Sequence, residues 1–402
     1  MKICVAVLFG GKSVEHEVSV ISALQAVRSL NREKYDIVPI YMTKDNELYI
    51  GEQVGAIESY RDIPALLKKS TRVILTRLDG RTVLTEPKSK FGHKRYERAI
   101  DLVLPIVHGT NVEDGALQGY LRTLGVPFAG CDVLASAVGM DKYVMKLVFR
   151  DAGLPVLDGR CYRKSRYYGD EAGMLAEVER TFAYPVIVKP VNLGSSVGIS
   201  KAHDRAGLIE ALELAFRFAE RVLIEPAIVR LREINCAVLG SADNATASEC
   251  EEPLNATDIL SYEDKYMGNR KGGKTGGSKG MASLSRRIPA DIPDALRDKV
   301  RTMAVDAFRA IGGNGVARID FMLDTAENKL YINEINTIPG SLAFYLWEPL
   351  GISYPKLLDR LIELALERAR EEESIFYSFS SNILENCNFG GAKSGAKTGA
   401  KR

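Results

Sequence analysis

A short apolar run that ends at two glycines opens the chain, and this pattern restricts the fold more than any other feature. Residues 1–9 are predicted to form a buried strand, and Gly10-Gly11 to form the turn that follows it. Residues 15–30 then predict a helix, and residues 35–42 a second strand. Strand, glycine turn, helix and strand in succession are typical of α/β proteins.

The same alternation continues further along the chain. Residues 101–107 predict a third buried strand, residues 112–124 a helix, and residues 126–128 a short strand. The polar stretch over residues 45–94 is interpreted as an irregular elaboration of this first domain. The prediction is an open, mainly parallel sheet with helices on both faces.

Length and charge exclude several classes of protein. The chain has 402 residues, enough for two or three domains, and a formal net charge of +2. So small a charge provides no overall field for binding nucleic acid or an anionic membrane. No apolar run approaches the ~20 residues of a membrane span, and the N-terminus lacks the cleavage site of a signal peptide. Six cysteines without a CxxC pair indicate a reducing cytoplasm rather than a disulfide framework or zinc site.

The pattern changes near residue 140. A helix over residues 142–152 leads to a strand over 185–190 and a glycine-serine loop over 194–198, before strands at 221–225 and 233–239. A stretch of low hydrophobicity then extends to about residue 287, before a helix (295–311), two antiparallel strands (315–323 and 329–336) and a closing helix (354–370). The predicted segments are 1–131, 132–226, 227–372 and a low-complexity tail, 373–402, expected to be disordered.

Polar residues on the last two predicted strands form the strongest candidate site. Asp320 lies on one strand, while Glu334 and Asn336 lie two residues apart on the next and share a face. Two carboxylates and an amide oxygen suit Mg²⁺ held jointly by protein and phosphate. Arg318 would point to the same side and could stabilise developing negative charge. A solvated edge hairpin is the alternative, but the apolar neighbours of these residues favour a buried site.

Lysines and glutamates on the central strands form a second candidate group. Lys189 ends an apolar strand just before the 194–198 loop, where its charge and the loop N–H groups could bind phosphate. Lys142 starts a helix, whereas Glu225 and Glu233 flank a connection and could contact a ribose or an adenine. Each could equally be an ordinary surface residue, so the interpretation depends on their convergence.

Two further polar groups follow predicted strands of the first domain. His108 ends the strand over 101–107, and Glu15 follows the first strand. Open α/β sheets bind ligands at the carboxyl ends of their strands. We therefore expect both residues near a ligand, although a lone histidine is more often a satisfied core group.

Residues 268–275 match the P-loop pattern GxxxxGK[ST], but their flanks do not. The motif needs a buried strand before it and a helix after it, so that backbone N–H groups converge on phosphate. Polar and glycine-rich segments flank it instead. A flexible basic loop that covers bound nucleotide is the better interpretation.

Seven short motifs occur in a fixed order between residues 2 and 370. They are Phe9–Ser19; His108-Gly109 with Glu113–Gly115; Met140–Lys142; Val188–Pro190 with Gly194–Gly198; Tyr262–Tyr266; Ala317–Asp320; and Asn333–Gly340. Each alone is weak, but the ordered set resembles the D-alanine–D-alanine ligases of the ATP-grasp superfamily. The resemblance implies an ATP-grasp fold after an N-terminal α/β domain, and an acyl-phosphate mechanism that supplies a peptidoglycan precursor.

The resemblance also implies roles for individual residues. Phosphate contacts are implied for Lys142, Lys189 and Lys265, adenine and ribose contacts for Glu225 and Glu233, and binding of two Mg²⁺ ions, or Mn²⁺, for Asp320, Glu334 and Asn336. Glu15 would hold the ammonium of the first D-alanine, with Ser195 and Tyr266 in the same hydrogen-bonded set and His108 positioning that substrate. Arg318 and the Gly340 N–H would stabilise the oxyanion, and Ser341 and Leu342 would contact the second substrate.

One departure from the family leaves the second substrate open. Ser341 follows Gly340 directly, whereas the family usually places several residues between them, so D-serine, D-lactate or another amine is an alternative acceptor. Tyr266 favours D-alanine, because D-lactate-adding members typically carry histidine there. A non-catalytic nucleotide-binding protein is a third hypothesis, which the presence of Arg318 and the three metal-type residues disfavours. The resemblance also implies a homodimer.

Overall fold

In the part of the chain that the structure describes, three β-sheets follow one another, with seven, four and five strands. The computed structural model describes residues 2–88, 95–254 and 286–378. Lys265, Tyr266, the basic loop over residues 268–275 and residues 379–402 of the predicted tail lie outside these described residues. In the described part, no helix has the length and apolar character needed to cross a membrane.

The first sheet is mixed, with a parallel centre and an antiparallel extension. Its strands are β1 (Ile3–Gly10), β2 (Tyr35–Met42), β3 (Leu48–Ile50), β4 (Thr71–Leu78), β5 (Arg81–Thr85), β6 (Glu97–Ala99) and β7 (Leu102–Ile106). Strand β1 pairs in parallel with β2 and β7, whereas β3 to β6 add antiparallel pairs in the order β6-β5-β4-β3-β2-β1-β7. The predicted parallel sheet is therefore correct for three strands only. The stretch over 45–94, predicted to be irregular, contributes three strands of the extension in its described part.

Helices α1 (His16–Ser29), α2 (Ile63–Lys68) and α3 (Ala116–Leu124) accompany this sheet. The predicted helix over 112–124 begins only at Ala116, because its N-cap Gly115 adopts a left-handed conformation with φ +94°. The predicted strand over 126–128 is reduced to one bridge between Val103 and Phe128.

The second sheet is antiparallel, with strand order β10-β9-β11-β8. Before it come α4 (Val133–Met140) and α5 (Lys142–Asp151); its own elements are β8 (Arg160–Arg163), α6 (Lys164–Gly169), α7 (Glu171–Thr181), β9 (Val186–Pro190), β10 (Ser200–Ala202), α8 (Arg205–Phe216) and β11 (Arg221–Pro226). Apolar residues of α7 and α8, such as Met174 and Leu212, form a core with Val188 and Ile224 of the sheet. This core fixes the antiparallel pairing of β9 with β11, in which Lys189 lies opposite Leu223 and Glu225 opposite Ile187.

The third sheet carries the predicted hairpin and is also antiparallel, in the order β14-β13-β12-β15-β16. Its elements are β12 (Leu231–Ser241), β13 (Ala245–Pro253), β14 (Arg286–Arg287), α9 (Asp294–Ala310), β15 (Asn314–Asp324) and β16 (Lys329–Asn336). A 3-10 segment, Gly340–Leu346, and helix α10 (Tyr354–Glu373) follow. Strand β13 was not predicted; it lies in the stretch of low hydrophobicity.

The last part of the chain completes the core of the first sheet. Leu342, Trp347, Leu357 and Leu361 belong to the same buried cluster as the strands β1, β2 and β7. Because residues after 336 fold back onto the first sheet, the carboxyl ends of β1, β7 and β16 lie together. The candidate residues that follow these strands are thereby brought to one place.

Candidate active site

A cavity of about 750 Å³ lies where the three sheets meet. It is lined by most of the residues expected from the sequence: Glu15, His108, Lys142, Lys189, Ser195, Glu225, Glu233, Arg318, Asp320, Glu334, Asn336 and Gly340. Residues separated by more than 300 positions in the chain therefore face one space. The convergence on which the sequence interpretation depended is present in the structure.

The acidic pair lies at matching positions of two adjacent strands. Asp320 on β15 is the register partner of Glu334 on β16, and Arg318 is the partner of Asn336. Partners on an antiparallel pair project to the same face, so all four side chains face the cavity. A bulge directly after Asp320 shifts the register of the following residues.

Arg318 and Asp320 form a bidentate ion pair. Arg318 Nε and Nη2 donate to the two Asp320 oxygens, each at 2.7 Å, and Asn336 Nδ2 donates to Asp320 Oδ2 at 3.0 Å. Burial raises the pKa of Asp320 against the opposing effect of Arg318, and the Glu334 carboxylate raises it further. Burial disfavours the charged Arg318, yet Asp320 outweighs it and raises the pKa of the guanidinium. The two facing carboxylates thus repel each other in a partly buried site.

These oxygen donors fit a divalent cation shared with phosphate. Within residues 2–88, 95–254 and 286–378, no set of three His, Cys, Asp or Glu side chains is arranged to hold a metal ion. Asp320 and Glu334 would supply two carboxylates to such a cation, and the amide oxygen of Asn336 would be the third protein donor. Mg²⁺ usually binds through one or two carboxylates together with substrate phosphates, so a complete protein cage is not required.

Lys142 connects the acidic pair to the second sheet. Its Nζ lies 3.1 Å from Glu334 Oε2 and donates to the carbonyl of Leu193 at 2.8 Å. The lysine begins α5, where Asp141 caps the helix through the N–H groups of Tyr143 and Val144. The cap fixes the start of the helix, and the ammonium is thereby held at the cavity wall.

A buried triad of two lysines and one glutamate lies at the wall of the cavity formed by the second sheet. The Glu225 carboxylate pairs with Lys189 through one oxygen and with Lys146 through the other, the latter at 3.0 Å. Burial acts to raise the pKa of Glu225, but the two lysines outweigh it and lower that pKa. Lys146 was missed in the sequence analysis. Its position four residues after Lys142, on the same face of one helix, was the signal available.

Glu15, which follows β1 of the first sheet, lies beside Ser195, in the loop that follows β9 of the second sheet. Ser195 Oγ donates to Glu15 Oε1, and both residues line the cavity. The loop passes so close that a Cβ at Gly194 would lie 2.6 Å from Glu15 Oε2. A side chain at position 194 would therefore displace the Glu15 carboxylate from its place beside Ser195.

His108 is buried and hydrogen-bonded through both ring nitrogens. Nδ1 lies 2.9 Å from the carbonyl of Ile338, so it must donate, and Nε2 lies 3.2 Å from Ser22 Oγ. Burial lowers the pKa of His108 to about 4, which leaves the ring neutral. Burial likewise raises the pKa of Glu113 to about 8; its carboxyl accepts from the N–H groups of Gly109 and Ile338.

Two predicted substrate contacts are placed away from the cavity. Ser341 Oγ donates to Gln25 Oε1 at 2.7 Å, and Leu342 is 3% exposed in the core of the first sheet. Ser341, Leu342 and Ala343 have φ values of 51°, 55° and 50°, so three successive residues are left-handed. Among the described residues that line the cavity, Gly340 is therefore the last one in the chain.

Comparison with known proteins agrees with this arrangement. The family model described as "D-ala D-ala ligase N-terminus" matches residues 4–131, and "D-ala D-ala ligase C-terminus" matches residues 148–363. The chain belongs to the D-alanine–D-alanine ligase family. A D-alanine–D-alanine ligase of Acetivibrio thermocellus is 42% identical over 375 residues, which cover 90% of this chain and 96% of the relative.

Solved structures of the family share the fold. The D-alanine–D-alanine ligase of Coxiella burnetii aligns with a TM-score of 0.76 at 31% identity, covering 92% of this chain and 96% of its own. The VanG D-Ala:D-Ser ligase of Enterococcus faecalis aligns with a TM-score of 0.73 at 30% identity, covering 91% and 100%. The Bacillus anthracis D-alanine–D-alanine ligase complexed with ATP gives 0.63 at 25%, covering 92% and 99%. The second and third sheets thus form an ATP-grasp fold, and the mixed first sheet precedes it.

Proposed function

We propose that the protein is an ATP-dependent ligase that joins D-alanine to D-alanine in the cytoplasm and supplies a peptidoglycan precursor. One observation carries the proposal: Arg318, Asp320, Glu334 and Asn336 are register partners facing a cavity shared with Lys142 and Lys189. A protein that only binds nucleotide has no need of a guanidinium beside the acidic pair. We also propose domain boundaries after residues 131, 226 and 372, and a homodimer, which sedimentation would test.

ATP would bind between the second and third sheets. Lys142 and Lys189, with Lys265 from the loop, would contact phosphate oxygens, and Glu225 and Glu233 would face the adenine and ribose. Asp320, Glu334 and Asn336 would hold one or two Mg²⁺ ions, or Mn²⁺. Bound metal would offset the negative charge of the phosphates during transfer.

The first D-alanine would bind beside Glu15. The carboxylate of Glu15 would accept hydrogen bonds from the substrate ammonium, with Ser195 and Tyr266 in the same hydrogen-bonded set, and His108 would position the substrate. The substrate carboxylate then attacks the γ-phosphorus of ATP, which gives D-alanyl phosphate and ADP.

The second step forms the peptide bond. The amine of the second D-alanine attacks the acyl carbon, the tetrahedral oxyanion forms, and phosphate leaves as the amine loses a proton. Arg318 and the Gly340 N–H would stabilise that oxyanion. Exclusion of water is essential, because an acyl phosphate hydrolyses.

Phosphate release from ATP, measured with D-alanine and with L-alanine, tests the proposal. Release should require D-alanine, and mass spectrometry should identify the dipeptide. Release that is indifferent to D-amino acids would reject the function. Because the VanG structure is named a D-Ala:D-Ser ligase, the same assay should include D-serine and D-lactate as acceptors, with D-alanine expected to be preferred.

A further inference from the structure

The acceptor amino acid needs a partner for its own carboxylate, and the residues expected to supply one point elsewhere. The Ser341 hydroxyl is bonded to Gln25, and Leu342 is packed in the first core. The left-handed turn that carries them away begins directly after Gly340, beside the proposed oxyanion site. Within the described residues, a partner for this carboxylate therefore has to lie on another part of the cavity wall.

Arg286 is one of the residues that line this wall. Its Cζ is 4.0 Å from the centroid of the Tyr345 ring, and Nη1 donates to Glu251 Oε2 at 2.8 Å. Tyr345 belongs to the same Gly340–Leu346 segment that supplies the Gly340 N–H. One short segment thus provides both the oxyanion donor and the ring against which Arg286 packs.

Glu251 is a fixed support for this guanidinium. Its Oε1 accepts from Asn235 Nδ2 at 3.0 Å and from the Tyr345 hydroxyl at 3.4 Å. The Glu251 side chain is 3% exposed and that of Arg286 is 11% exposed. A guanidinium carries five N–H donors in one plane, so pairing with Glu251 is compatible with a contact to a second carboxylate.

The other cations of the cavity are less suited to this task. Lys142 pairs with Glu334 and Lys189 with Glu225, both at the phosphate end, and Arg318 is bidentate on Asp320. Lys201 and Arg230 also line the cavity, but both are exposed. Arg286, whose side chain is 11% exposed, is the cation among the described residues that packs against the ring of Tyr345 in the segment beginning at Gly340.

We propose that Arg286 binds the carboxylate of the acceptor, with Tyr345 and Glu251 fixing the plane of the guanidinium; this assignment rests on the ligase function proposed above. The contact is charge-assisted and can be bidentate. It recognises an α-carboxylate and not the attacking group, so it selects amino or hydroxy acids over simple amines.

The Arg286→Gln variant tests the assignment when dipeptide synthesis is compared with a half-reaction. Hydroxylamine can replace the acceptor: its nitrogen attacks the acyl carbon of D-alanyl phosphate, phosphate leaves, and D-alanyl hydroxamate forms. The KM for the acceptor D-alanine should rise at least about tenfold. Hydroxamate formation, and transfer to D-alaninamide, which lacks the carboxylate, should stay within about twofold. Arg287→Gln is the matched control, since Arg287 is an exposed neighbour paired with Asp291.

Removal of Arg286 leaves the buried Glu251 carboxylate with one partner fewer, which by itself destabilises the site. A double variant, Arg286→Gln with Glu251→Gln, removes that charge and is measured alongside the single variant. Its acceptor KM should also be raised. Equal loss of dipeptide and hydroxamate in both folded variants, or an unchanged KM for the acceptor, overturns the assignment of Arg286 but not the proposed ligase function. Absence of hydroxamate with the unaltered enzyme, ATP and D-alanine rejects the ligase function and the assignment with it.

Discussion

Lys146 shows how a residue outside the cavity can control the charge inside it. With Lys189 and Glu225 it forms a triad of net charge +1, in which Lys146 and Glu225 are 2% and 1% exposed. Without Lys146 the carboxylate would neutralise Lys189 alone, and the attraction for phosphate would weaken.

We predict that Lys146→Met raises the KM for ATP about tenfold, while the KM values for D-alanine change less than about twofold. Breaking a buried pair should also lower the free energy of unfolding by about 3 kcal/mol or more. Steady-state kinetics and urea unfolding measure both effects. Lys299→Met, on the exposed face of α9, is the control; an unchanged KM for ATP in Lys146→Met would contradict the charge argument.

His108 predicts a dependence of stability on acid. Its folded pKa of about 4 lies below the ordinary 6.5, so between these values the unfolded chain binds a proton that the folded chain does not. Stability is then lost as pH falls below 6.5.

Between pH 7.5 and 5, His108 should account for a loss of about 2 kcal/mol in the free energy of unfolding. His108→Asn should make the profile flatter by that amount, as urea unfolding at several pH values would measure. His203→Asn, at an exposed position, should not change the profile. A His108→Asn profile as steep as that of the unaltered protein would show that other groups cause the acid sensitivity.

At the scale of elements, the β15–β16 hairpin was predictable and several other strands were not. Its two strands combine buried apolar residues with polar residues two apart, a pattern that is read from the sequence directly. Strand β13 has no β-branched apolar residue, and it forms because β12 pairs with it. The β4–β5 hairpin had a usable signal in Asp79-Gly80, whose φ values of 47° and 77° suit a tight turn.

Some residues of the candidate site were likewise predictable from the sequence, and others were not. Residues carried by motifs, such as Asp320 and Glu334, could be placed by spacing alone. Arg286 could not, because its role depends on Tyr345, a partner far away in the chain. Lys146 had a spacing signal, its position four residues after Lys142, but its partner Glu225 is also distant in the chain. The direction of Ser341 depends on a left-handed turn without glycine, for which the sequence offers no local signal.

We expect Glu334→Gln to lower kcat at least about 100-fold, because one oxygen donor of the metal site is lost. The free energy of unfolding should change by less than about 1 kcal/mol, since loss of the Lys142 pair is offset by relief of the repulsion with Asp320. Kinetics at increasing Mg²⁺ should show a higher requirement for metal. Glu327→Gln, at the exposed end of the same hairpin, is the control; full activity of Glu334→Gln would refute the metal assignment.

At the scale of the whole molecule, the first sheet depends on the end of the chain. Leu342, Trp347, Leu357 and Leu361 are buried in its core, and Arg368 donates to the carbonyls of Phe128 and Gly130. Burial of four large apolar side chains stabilises by about 6–12 kcal/mol. That equals the entire stability of a typical domain, about 5–15 kcal/mol.

Residues 1–131 expressed alone should therefore not unfold cooperatively, although residues 4–131 match the family model for the N-terminal part. A fusion of residues 1–131 to residues 337–373 through a flexible linker should recover a cooperative transition, because it restores the buried cluster. Circular dichroism during heating measures both. A sharp thermal transition of the isolated fragment would show that the C-terminal segment is dispensable for this core.

During synthesis on the ribosome, the core of the first sheet cannot be completed until the C-terminal residues have been made. The first sheet leaves the exit tunnel early, but Leu357 and Leu361 are added more than 200 residues later. At about 5–20 residues per second, the ribosome needs on the order of ten seconds or more to add the C-terminal residues that complete the core of the first sheet. During that interval an apolar surface of the growing polypeptide faces water, and we expect a nascent-chain chaperone to bind there.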